Sequence, residues 1–108
     1  MKAIRVNIGE KPEVIEIGSG LEEIRSAIGV EWVEMFYPFS DPVCIICDEE
    51  GKINGNLPNR ELMQDGRLLD VIFGNFLIVG IGEEDVESVP EELIDKYMKM
   101  FTHSVIKI

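Results

Sequence analysis

From Lys2 to Ile8 the chain sets Ala3, Arg5 and Asn7 against Ile4, Val6 and Ile8, residue by residue. That two-residue period belongs to a strand with one buried face. Gly9-Glu10-Lys11-Pro12 interrupts it, and Glu13 to Ile17 alternates again with Val14 and Ile15 as its apolar members. Two such runs joined by a short polar turn form a hairpin. A hairpin with an apolar face must be covered, so the chain has to supply helices or further strands.

Both are legible. Ser19-Gly20-Leu21-Glu22 has the form of a capping box, in which the Ser hydroxyl and the Glu carboxylate satisfy the first free amides of a helix. Leu21, Ile24 and Ile28 continue it on one face, and Gly29 offers a left-handed stop. Glu31 to Phe39 and Val43 to Asp48 are rich in aromatic and β-branched residues and predict two strands separated by Ser-Asp-Pro. Glu49-Glu50-Gly51-Lys52 and Asn54-Gly55 predict turns. Leu69 to Val79 predicts the most hydrophobic strand, central in the sheet, with Gly74 marking a bulge or a close backbone approach. Gly80 to Val86 predicts an acidic loop. Ser88-Val89-Pro90-Glu91 repeats the Ser-x-x-Glu signature ahead of a stripe of Leu93, Ile94, Tyr97, Met98 and Phe101, which predicts the second helix. The tail His103 to Ile108 either adds an edge strand or stays loose. The expected fold class is α+β: a single domain over residues 1–108, with a mostly antiparallel sheet opening on a ββα unit and two helices packed on it.

Composition narrows the function. The 108 residues carry 45% apolar side chains, enough for a core without metals or disulfides. The formal charge of −11 argues against direct binding to nucleic acid or an anionic membrane, since both need clustered Lys and Arg. It favours a protein partner with a basic surface, or imitation of nucleic acid. The longest apolar run, Leu68 to Ile81, is broken by Asp70, Gly74, Asn75 and Gly80, and falls short of the roughly 20 residues a membrane helix requires. The N-terminus lacks the apolar stretch of a signal peptide, so the expected location is cytoplasmic. The sequence carries no signal for oligomeric state.

Cys44-Ile45-Ile46-Cys47 has the C-x-x-C form of redox and zinc sites. On a strand, however, residues three apart point to opposite faces, so this pair predicts two buried structural thiols. His103 has no nucleophile or acid beside it and predicts at most a contact with the last helical carbonyls. With 21 acids in the chain, any pair of carboxylates can be nominated for hydrolysis, so none is informative. Calcium-loop spacing, a Walker loop and a complete dinucleotide loop are all missing. No metal, no cofactor and no enzymatic activity are expected.

Two features remain open. Glu83, Glu84, Asp85 and Glu87, continued by Glu91, Glu92 and Asp95, form the densest run of acids. Part of it suits the positive end of a helix. Equally, Glu83, Glu84, Asp85 and Glu87 can face a partner, standing in for phosphates in a basic cleft. The second feature is Pro58-Asn59-Arg60. In one reading Asn59 caps a single turn from Arg60 to Met63 and Arg60 pairs with a nearby acid. In the other, Asn59 and Arg60, with the guanidinium partly accessible beside Gly74, hold an anionic ligand such as a nucleotide.

The stretch from Cys47 to Gly80, with DEEGK, LPNREL and DVIFGNFLIVG, followed by EEDVESVPEELIDKYMKMF, resembles a family of small acidic bacterial and phage domains of unknown function. The family pattern is an Asn-Arg step followed by Ala and an apolar residue, then Asp-x-Ile-x-Gly and Val-Gly. Here Asn59-Arg60, Asp70, Ile72, Gly74 and Val79-Gly80 match, while Glu61 replaces the Ala. The resemblance implies a single α+β domain encoded on mobile elements and implies no reaction. The acid at Glu61 counts against an anion site at Arg60. Together these readings give a non-enzymatic acidic binding protein, with anti-defence action by protein contact or nucleic-acid mimicry as its finer form. The small-molecule module centred on Asn59 and Arg60 is the alternative.

Overall fold

In the computed structural model, which describes residues 1–106, β1 (Lys2–Val6) and β2 (Glu13–Glu16) form the expected hairpin. They are followed by α1 (Leu21–Ile28), β3 (Val33–Phe36), β4 (Val43–Asp48), β5 (Pro58–Gln64), β6 (Arg67–Phe73), β7 (Phe76–Ile81), β8 (Val86–Glu87) and α2 (Glu91–Met100). One antiparallel sheet runs in the order β2-β1-β7-β4-β3, with β8 paired to β7, while β5 and β6 form a separate hairpin.

The sheet has a layer on each face. Ala3, Cys44, Ile46, Leu77 and Val79 point to the side covered by Ile24 and Ile28 of α1. Ile4, Val6, Val43, Ile45, Phe76 and Ile78 point to the other side, where Tyr97 and Phe101 of the α2 region and Leu62 and Ile72 of the β5–β6 hairpin close over them. Burial on both faces explains why β4 and β7 are written as unbroken apolar runs rather than alternations. Each fully enclosed Ile, Val or Phe contributes roughly 1.5–3 kcal/mol, so this double core carries most of the stability. The α+β class, the antiparallel sheet and the two helices follow the sequence expectation.

Several local expectations are overturned. Leu69 to Val79 is not one strand. It divides at Gly74-Asn75 into β6 and β7, which belong to different sheets. Gly74 sits at φ +81, and a Cβ there would lie 2.8 Å from the Asn56 side-chain nitrogen. The glycine is thus a sharp corner with a close approach. Ser19 does not cap α1. Gly20 holds the cap position without a side-chain bond, and Glu22 instead takes a hydrogen bond from Arg25 at 3.0 Å. Gly29 does stop the helix, at φ +69, donating to the Arg25 carbonyl. Ser88 likewise does not cap α2, whose cap position is held by Pro90; its hydroxyl accepts the Lys2 amide at 2.8 Å and ties α2's approach to β1. The tail forms no strand from His103 to Ile106, and the part of that expectation covering residues 107–108 lies outside the described residues. No helix is long and apolar enough to cross a membrane among the described residues.

Candidate functional site

Asn59 lies not in a helical turn but in β5, whose partner β6 is joined to it by Asp65 and Gly66, both at positive φ. Successive left-handed residues of this kind make the tight hairpin turn that Asp-Gly favours. The cap reading of Asn59 is therefore wrong: a strand has no free helical amides to cap. The side chain is fully buried and its amide nitrogen donates to the carbonyls of Val6 at 2.9 Å and Gly74 at 2.8 Å. It stitches the β5–β6 hairpin to β1 and to the Gly74 corner.

Arg60 is only 1% exposed and, among the described residues, pairs with no acid. Its Nε donates to the Phe101 carbonyl at 2.7 Å, one terminal nitrogen to the Asn59 side-chain oxygen at 2.6 Å and the Asn59 carbonyl at 3.2 Å, and the other to the Glu10 carbonyl. Burial lowers its pKa, with the ring of carbonyl dipoles taking the place of a counter-ion. The partly accessible guanidinium expected beside Gly74 is corrected accordingly. Asn59, Arg60 and Gly74 do come together, but as a knot that consumes its own donors. The Asn59 carbonyl also accepts the Val105 amide at 3.0 Å, so the segment after α2 is held by the same residues.

Glu83, Glu84 and Asp85 lie where their acidity suggests, on the exposed turn between β7 and β8, with Glu87 exposed beside them in β8. The turn is built rather than loose. Gly82 donates to the Asp85 carbonyl at 2.8 Å, and the Asp85 carboxylate accepts the Val86 amide at 2.7 Å. A Cβ on Gly82 would come within 2.6 Å of the Asp85 carbonyl, and one on Gly80 within 2.3 Å of the Ser88 carbonyl. Both glycines let the two strands close up. Among the described residues none of these four carboxylates is in an ion pair. Six cations are engaged elsewhere: Lys2, Arg5, Arg25, Lys52, Lys96 and Lys99 are each held by another acid.

One polar cluster was not foreseen. Asp41, between β3 and β4, accepts from Lys96 Nζ at 2.6 Å and from the Tyr97 hydroxyl at 2.7 Å. Hydrogen bonding from Lys96 and then from Tyr97 lowers the Asp41 pKa. Burial, reinforced by Asp41, raises that of Tyr97. A phenol held protonated is neither a base nor a nucleophile, and this cluster latches α2 to the β3–β4 loop. The only sequence signal was Tyr97 on an apolar stripe, because a buried hydroxyl must find an acceptor.

Cys44 faces α1 and Cys47 the opposite layer, as the strand argument required. Burial pushes their thiols up to about 11 and about 12, the reverse of an activated thiolate. We expect Cys44→Ser/Cys47→Ser to fold with a loss of roughly 1–3 kcal/mol from placing hydroxyls in apolar sites. Zinc content measured on the purified protein should be unchanged. Stoichiometric zinc lost in the double variant would contradict the opposed geometry. Among the described residues no group of His, Cys, Asp and Glu is disposed to hold a metal ion. His103 is exposed beyond the end of α2.

The fold and its polar clusters thus define an acidic α+β domain whose buried Asn-Arg pair holds the structure together and whose carboxylates stand on the surface. The chain belongs to the family described as Domain of unknown function (DUF3846), which it matches over residues 1–102. No curated protein and no solved structure matches it.

Proposed function

We propose that the protein is a non-enzymatic, cytoplasmic binding protein, encoded on a phage or other mobile element, that acts by contact with a basic protein surface. The observation that carries this reading is the β7–β8 turn. The four carboxylates on and beside it are exposed and left without ion-pair partners among the described residues, and that of Asp85 is fixed by the Val86 amide. Such charges lose little water on meeting cations and steer association over distance. In the finer form of the proposal they take the place of phosphates in a nucleic-acid channel of a host defence protein. The ligand-binding alternative at Asn59 and Arg60 gains no support from a guanidinium spent on carbonyls.

Charge reversal tests it. Replacing Glu83, Glu84, Asp85 and Glu87 by Lys should leave the melting temperature almost unchanged, because exposed charges contribute roughly 0–1 kcal/mol. Capture of the basic partner from host extract should be abolished. Wild-type capture should weaken steeply with added salt and be competed by nucleic acid. Capture retained by the reversed protein sinks the proposal.

A further inference from the structure

β3 ends the sheet: among the described residues it pairs with β4 alone. The direction of its free groups can be deduced. Glu49 donates to the Trp32 carbonyl, and the β3–β4 register continues from that pair as Val33↔Asp48, Glu34↔Cys47 and Met35↔Ile46. Bonded and non-bonded pairs alternate in an antiparallel ladder, so Glu34 and Phe36 bond inward to β4 while the amides and carbonyls of Val33 and Met35 face outward. Proteins usually guard such an edge with charged side chains, above all Lys, or with Pro or a bulge. Val33–Phe36 has no Lys, Pro or bulge, and its one charge is Glu34. The opposite edge, β2, follows directly on Pro12, and its Glu13 is engaged by Arg5.

The surroundings indicate what would dock there. On the face of Glu34 and Phe36, a groove of about 490 Å³ opens between β4 and β6, lined by Glu34, Asp48, Glu50 and Asp70 with Phe36 and Phe73. The one cation in it, Lys52, is already paired with Asp70 at 3.2 Å. On the opposite face, Met35 and Tyr37 are exposed and touch each other, with the Tyr37 hydroxyl 3.7 Å from the Met35 sulfur. A strand laid along β3 would therefore alternate between an acidic groove and an apolar ledge. We propose that β3 is a docking edge, to which an extended segment of a partner protein adds as an outer strand, with Lys or Arg at alternate positions entering the groove and apolar side chains on the ledge. A second copy of this chain is the wrong occupant: it would set one acidic groove and a net charge of −11 against another. This site is separate from the β7–β8 turn and stands or falls independently of it.

The probe is a synthetic twelve-residue peptide of alternating Lys and Val, with an alternating Glu and Val peptide as control. Binding is read by fluorescence anisotropy, and amide exchange of Val33 and Met35 by nuclear magnetic resonance. The Lys peptide should bind and slow exchange at both amides, and the Glu peptide should not bind. Met35→Pro removes an outward amide without touching the bonds to β4, so it should weaken binding roughly tenfold or more, the scale of one or two main-chain hydrogen bonds. Met35→Ala keeps the outward amide and trims only the ledge, so it should weaken binding less than Met35→Pro does. Any of three results overturns the proposal: no binding of the Lys peptide, binding without slowed exchange at Val33 and Met35, or undiminished binding by a folded Met35→Pro. Protection of the same amides that rises with protein concentration alone would make a second copy the occupant and equally overturn it. Should Met35→Pro fail to fold, the exchange measurement on the wild-type chain decides.

Discussion

Arg60→Ala should cost about 4 kcal/mol or more, a large part of the roughly 5–15 kcal/mol that holds a domain of this size folded. The loss has two sources. The buried carbonyl of Phe101 and the partly buried one of Glu10 lose a charged donor, and a stranded buried acceptor costs roughly 1–3 kcal/mol. Removing a fully enclosed side chain also leaves a cavity. Arg60→Lys should recover little, because a single ammonium cannot reproduce a planar fork that reaches Glu10, Asn59 and Phe101 together. Urea unfolding measures both variants. A loss under about 1 kcal/mol for Arg60→Ala would mean that water replaces the guanidinium and that the knot is not structural. Below their melting temperatures, both variants should still capture a partner through the β7–β8 turn.

Asn59→Ala should cost about 3 kcal/mol, since it strands the Val6 and Gly74 carbonyls and one Arg60 donor at once. That exceeds the roughly 0.5–2 kcal/mol of a lost helix cap, so the magnitude itself separates strand from cap. The two side chains share a hydrogen bond of 2.6 Å and should not behave independently. In a double-mutant cycle the combined loss should fall short of the sum by roughly 1 kcal/mol or more. Additivity within about 0.5 kcal/mol would make them separate supports rather than one unit.

What the sequence discloses follows from how each element buries its residues. The β1–β2 hairpin, α1 and α2 were legible because their apolar residues keep the period of the element. The opposed cysteines were legible for the same reason. The β5–β6 hairpin was not, although Asp65-Gly66 has the form of a tight turn. Its first strand, Pro58-Asn59-Arg60-Glu61-Leu62-Met63-Gln64, buries two polar side chains and exposes Met63. Its second exposes Leu68 and Leu69, so the binary pattern is inverted where the hairpin leaves the core. The division at Gly74 was hidden because apolar residues continue on both sides of the corner. The exposed acidic turn was legible from composition alone, whereas the Asp41–Tyr97 latch spans 56 positions and leaves no local trace.

The buried Asn-Arg pair also dictates when the molecule can finish folding. Asn59 and Arg60 stand near the middle of the chain, yet their partners include Val6, Glu10, Phe101 and Val105, all 41 or more positions away. Contacts so distant in sequence close late, because a long stretch must be ordered before they offset its entropy. A nascent chain that has emerged through β7 holds its most hydrophobic strands but has no Phe101 carbonyl for the guanidinium to grip. Refolding should accordingly be slow for a chain of this length, with the last structure gained in the middle of the sequence, where both ends meet.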